Sequence, residues 1–229
     1  MKRMLVVPLA LLFWAGCAAA NPLCTSVHLD QYILNNTTLA SACQIGDKLF
    51  YGFSFDASYT AGAAPVSSQI TVIPDAANPI SNPGLTLATG GFTIVSGTLE
   101  ATITYDVATV SGSALLEDYS LLIAGSHTNG GLGSGTVTES FSNSGPGLPL
   151  VAHVGPGLDN NSPSAHAAFL PFVSGTVVTT QIDEVSLGGD FVTISQVQEH
   201  YSEVIPEPCA AVLIGSGLVL LGLRRKRVA

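Results

Sequence analysis

The chain has 229 residues, 47% of them hydrophobic and only 10% charged, which is too apolar for a disordered acidic segment and long enough for one domain with a sizeable core. The formal net charge of −9 conceals an asymmetry: residues 21–208 hold all sixteen carboxylates against one lysine, Lys48, a balance of −15, and the other six cations lie at the two ends. Such a body cannot neutralise phosphates, so nucleic-acid binding is excluded, phosphorylated substrates are disfavoured, and divalent cations gather only as a diffuse counter-ion atmosphere.

Lys2 and Arg3 precede an apolar run over residues 4–16, and Ala18-Ala19-Ala20 follows as a small-residue exit. That order predicts a secretory signal peptide over residues 1–20, cut by signal peptidase between Ala20 and Asn21. Trp14-Ala15-Gly16-Cys17 is close to a lipobox but has Trp where Leu is usual, so lipidation at Cys17 is the minor reading. The exported body spans residues 21–203. Its two cysteines, Cys24 and Cys43, are expected to pair in an oxidising compartment, the alternative being two free thiols. A bridge closing that loop stabilises by roughly 3 kcal/mol in the loop-entropy picture and ties the N-terminus to the first strong strand.

Period-two alternation dominates from there on. Leu49, Tyr51, Phe53 and Phe55 fall on one face of KLFYGFSFDASYT, and Ala101, Ile103, Tyr105 and Val107 on one face of EATITYDVAT. Weaker strands are SSQITVI, GFTIVSGTL, YSLLIAGS, GTVTESF, LVAHV, SGTVVTTQI and FVTISQVQEHY, each rich in β-branched or aromatic residues and bounded by Gly, Pro, Asn or Ser. Only ALLEDYSLL, with Leu115, Leu116, Tyr119 and Leu122, also fits a helical face. Nine or ten short strands predict an all-β fold, a single antiparallel β-sandwich of jelly-roll-like type, flanked by an N-terminal signal helix and a C-terminal transmembrane helix. Pro-Gly pairs at 82–85, 145–148 and 155–158 predict type II turns. Residues 125–135 and 155–164 read as the most flexible loops.

Chemical signatures are sparse. The sequence holds no nucleophile elbow, H-E-x-x-H, P-loop, calcium loop or zinc spacing, so no catalytic, cofactor-binding or metal residue is assigned, no cofactor is expected and the chain is not expected to be an enzyme. The histidines at 28, 127, 153, 166 and 200 are scattered and read as surface or satisfied core residues. The doublets Glu117-Asp118 and Asp183-Glu184 read as solvated turn or edge residues, because strand neighbours point to opposite faces and cannot form a glycosidase pair. A carboxylate pair drawn from separate strands stays open. Sugar binding usually needs exposed aromatic faces, whereas the body has no Trp and its tyrosines fall mostly on inward strand faces.

The chain ends with Pro206-Glu207-Pro208, an uncharged run over 209–223, and Arg224, Arg225, Lys226 and Arg227. As a helix that run is about 22 Å long, a short transmembrane anchor whose basic end faces the cytoplasm. Residues 204–229 resemble the PEP-CTERM sorting signal of Gram-negative bacteria in these three parts and their order. The resemblance implies an exosortase-type membrane protease that cuts near the triplet, transient residence in the inner membrane with the body outside, and delivery to the cell surface or medium beside exopolysaccharide. It implies no activity for the body. The expected function is that of an exported surface or matrix protein. The alternative is a secreted carbohydrate-binding or carbohydrate-hydrolysing β-sandwich, and for the tail itself a permanent single-span anchor.

Overall fold

The computed structural model describes residues 21–75, 83–90, 92–110, 115–128, 131–142, 149–155 and 164–204. The proposed signal segment with Ala20, the triplet 206–208, the apolar run 209–223 and the basic residues 224–227 lie outside them. So do the turn at 145–148 and most of that at 155–158. Among the described residues no helix is long and apolar enough to cross a membrane.

A short strand β1 (Val27–His28) runs into the short helix α1 (Leu29–Asn35), and β2 (Cys43–Ile45) leads into the long β3 (Lys48–Tyr59). There follow β4 (Ile70–Asp75), β5 (Gly84–Thr89), β6 (Thr93–Ile94), β7 (Gly97–Thr109) and β8 (Leu115–His127). The last five are β9 (Ser134–Phe141), β10 (Leu150–Val154), β11 (Ser164–Val173), β12 (Gly175–Ser186) and β13 (Val192–Val204). They form two sheets: β10-β9-β12-β7-β3-β2, called here the first, and β1-β4-β5-β13-β8-β11, the second, with β6 beside β13. Every pairing between named strands is antiparallel. The all-β sandwich expected from period-two patterning is the architecture observed.

Alternate residues fill the space between the sheets. β7 turns Leu99, Ala101, Ile103, Tyr105 and Val107 inward, as its alternation predicts, and β13 adds Val192, Ile194, Val197 and Tyr201. The spacing from Ile194 to Val197 is three because an extra residue, Ser195, bulges from β13 between the pairs Ile194↔Gly125 and Gln196↔Ala124. A compensating extra residue sits on β8 within Glu117-Asp118, between Leu116↔Glu203 and Tyr119↔Tyr201. That bulge puts both Leu116 and Tyr119 into the core and explains why this strand mimics helical spacing.

The same device corrects the expectation for β3. Leu49, Tyr51, Phe53 and Phe55 do not share one face, since an extra residue at Gly52 lies between the pairs Tyr51↔Asp106 and Ser54↔Thr104. Phe50 before the bulge and Phe53 after it both point inward. Gly52 takes φ 66, where a side chain is strained, and donates its amide to the Asn36 carbonyl at 2.6 Å, docking α1 on the sheet. At 82–85 Gly84 begins β5 and is not at positive φ, so the expected type II turn does not form there. The strand β11, SAHAAFLPFV, is not among the strands that the sequence predicts, because its alanines carry little strand signal.

Candidate functional site

Polar side chains from both sheets meet in the middle of the core. Thr180 of β12 donates its hydroxyl to Glu199 Oε1 of β13 at 2.6 Å. Tyr105 of β7 donates to Glu199 Oε2 and is hydrogen-bonded to the Tyr201 hydroxyl, which pairs with Glu139 Oε1 of β9 at 3.3 Å. Thr180, Glu139, Glu199, Tyr105 and Tyr201 are all fully buried. Burial and the neighbouring Glu199 charge push the Glu139 carboxyl well above its usual range, against the lowering effect of the Tyr201 hydroxyl that donates to it. Glu199 is raised to about 7 by burial against the lowering effect of its Thr180 and Tyr105 donors.

A second buried acid lies on β12. Glu184 Oε1 accepts the Ile194 amide at 2.6 Å, and the Thr89 hydroxyl donates to the Ile194 carbonyl. Both groups stand beside the Ser195 bulge, where the ladder to β8 shifts register. Side chains from β12 and β5 thus occupy the backbone polar groups at the bulge, as buried amides and carbonyls require. Burial raises Glu184 to about 8. This corrects the doublet expectation: Asp183 is partly exposed, but Glu184 is a core residue on a central strand. Glu117 and Asp118 are half-exposed at the β8 bulge, and Asp118 lies 3.4 Å from His166.

Lys48 forms a third cluster. Its side chain is fully buried at the start of β3, with Nζ 2.7 Å from Asp47 Oδ1 and 3.2 Å from Glu203 Oε2 at the end of β13. Burial alone would raise Asp47, but hydrogen bonding with Glu203 and Lys48 outweighs it and holds the carboxyl below its usual range. Glu203 is raised by its hydrogen bond with Asp47 and by burial. The pair therefore divides into a carboxylate at Asp47 and an acid that holds its proton more tightly at Glu203.

At the N-terminal edge, Cys24 and Cys43 form the expected disulfide. Asn21, the residue after the predicted cleavage point, precedes it in the chain. Beside the bridge lies a cleft of about 280 Å³ whose polar lining includes Gln31, Asn35, Asn36 and Tyr32 and no carboxylate. The Tyr32 hydroxyl is spent on the Thr25 carbonyl at 2.7 Å. Elsewhere, His200 lies 3.6 Å from Asp75 and His153 bonds Thr136 at 3.0 Å. Among the described residues no group of His, Cys, Asp or Glu could hold a metal ion.

The acids Glu139 and Glu199 are sealed from solvent. Strand parity holds the signal for these residues: Glu139 shares a face with Val137, and Glu199 with Val197 and Tyr201. Charge alone points the other way, toward solvent.

No family model matches the chain, and no curated protein matches its sequence. Among solved structures it is similar to TmCBM61 in complex with β-1,4-galactotriose, at 9% identity over 63% of this chain and 86% of that one, with a TM-score of 0.29. The enzymatically active domain of bacteriophage CBA120 tailspike protein 4 matches at 11% identity over 66% of this chain and 19% of that one, with a TM-score of 0.28. A carbohydrate-binding module of the β-sandwich superfamily matches at 7% identity over 77% of this chain and 61% of that one, with a TM-score of 0.22. Likenesses at these scores carry no argument about function.

Proposed function

We propose that the chain is an exported cell-surface or matrix protein, delivered by an N-terminal signal peptide and sorted through a PEP-CTERM-type tail, whose sandwich body is a non-catalytic scaffold. The tail carries the reading: a proline-rigid triplet, an apolar run and a basic stop occur in that order at the end of a body with a single cation. In this reading Arg224, Arg225, Lys226 and Arg227 halt translocation, and Pro206-Glu207-Pro208 presents extended backbone to a membrane-embedded exosortase-type protease. The sealed position of the core acids supports the non-catalytic part. Peptide mass mapping of the protein from the surface or medium of its host tests it. Peptides from 215–227 should be absent, and Glu207→Ala should retain the precursor in the inner membrane. A retained tail and an unchanged location would leave a permanent anchor instead.

A second reading, sugar binding, rests on the cleft beside the disulfide, where the amides of Gln31 and Asn35 offer the donors and acceptors that hydroxyls use, the Asn36 amide being spent on the Ser41 carbonyl. A glycan array on the full chain is expected to show no binding. Micromolar binding that disappears in Asn35→Ala would establish the second reading.

A further inference from the structure

We infer that Lys48 and Glu203 are the two halves of an intramolecular amide cross-link, with Asp47 as the group that moves the proton. Lys48 is the sole Lys or Arg between Arg3 and Arg224, and it is spent in the interior. The amine is sealed while Asp47 and Glu203 keep 37% and 22% of their side chains exposed, so the cation alone bears full desolvation and a salt bridge gives weak reason to place the body's only cation there. Condensation needs an amine, a protonated carboxyl and a base within reach, and all three are present. Nζ lies 3.2 Å from Glu203 Oε2, which brings the amine against the carboxyl that it would attack, and 2.7 Å from Asp47 Oδ1. The hydrogen bond to Asp47 also favours the protonated form of Glu203.

The step balances without an oxidant or co-reactant. The Asp47 carboxylate takes a proton from the Lys48 ammonium, and the freed lone pair attacks Glu203 Cδ. Asp47 returns the proton to the departing hydroxyl, which leaves as water, and the nitrogen sheds its second proton through Asp47 to solvent. One N–C bond forms and one C–O bond breaks. An amide to Asp47 instead would join chain neighbours and brace nothing. The Lys48–Glu203 bond ties the first long strand of one sheet to the last strand of the other, two strands that do not pair. A pull arriving from the C-terminal side would then be borne by an amide and not by the β13 ladder. The chemistry of the bond does not depend on the sorting proposal.

The test uses the full chain from an expressing bacterium, denatured, reduced and digested with trypsin. The expected result is no cleavage after Lys48, a chain lighter by one water, and a branched chymotryptic peptide containing both Lys48 and Glu203. Glu203→Ala should restore tryptic cleavage after Lys48 and the full mass. Asp47→Asn, which keeps the shape of the group, should give a folded, unlinked chain by circular dichroism and mass. Wild-type protein cut after Lys48 at unmodified mass overturns the cross-link, and full linkage in Asp47→Asn overturns the role of Asp47.

Discussion

At the scale of single residues, this core departs from the ordinary rule that acids face water. Glu139, Glu184 and Glu199 are fully buried and are tolerated because each receives hydrogen bonds or keeps its proton. The consequence is a definite pH dependence. Glu184 and Glu199 titrate at about 8 and about 7 in the fold, above the unfolded carboxyl range, so between those limits the native state holds more protons than the unfolded chain. The stability they confer is complete below the unfolded pKa and is lost as pH rises through 7 to 8. Thermal melts are therefore expected to show a higher Tm at pH 5 than at pH 8. Glu184→Gln keeps an oxygen for the Ile194 amide and cannot ionise. It should flatten that slope and exceed the wild type at pH 8 by on the order of a few kcal/mol, since each tenfold change in proton affinity is worth about 1.4 kcal/mol. A wild-type melting curve indifferent to pH over that interval would contradict the assignment.

At the scale of elements, register shifts shape the sheets: bulges on β3, β8 and β13 each lie beside a polar or docking contact, and β11 breaks register against β8 between Ala168 and Val173. The Gly52 bulge is the most exposed to test. A β-carbon there would lie 2.2 Å from the Asp106 carboxylate and would sit at φ 66. Gly52→Ala is expected to destabilise by about 1–3 kcal/mol, read as a lower urea midpoint at unchanged slope. Strand existence was legible wherever one face is buried and the other wet, as in β7. The β3 bulge was not, since KLFYGFSF goes on alternating while Gly52 moves the second half of the strand to the other face, and the spacing of three at Leu116–Tyr119 reads equally well as a helical face.

At the scale of the whole molecule, two sheets close over an apolar centre threaded by a polar spine, and the N-terminal segment is held on by the Cys24–Cys43 bridge. Beyond that covalent tie, the segment is held by the Leu23↔Gln44 bridge, the short pairing of β1 with β4 and the packing of α1 on β3. Replacing both cysteines with serine should lower the unfolding free energy by roughly 3 kcal/mol in denaturant titrations while leaving the far-ultraviolet β signature intact. Loss of the β signature would show that the bridge is needed for the sandwich itself. The excess of fifteen negative charges in residues 21–208 adds self-repulsion that also eases on acidification, so Glu184→Gln is the measurement that separates the buried acid from the general field.

The amino-acid sequence by itself determined the β class and the inward face of β7, and it made Cys24–Cys43 the expected pair that the structure shows. Each follows from a local pattern or from the count of body cysteines. Only the tertiary structure decided that Glu184 is interior, that Glu139 and Glu199 share a chain of protons with two tyrosines, and that Lys48 meets Glu203. The last pair is 155 residues apart in sequence. Which acids meet across the core depends on the stacking of two sheets, which leaves no mark in local periodicity, and on bulges whose altered spacing does not say which strand lies opposite.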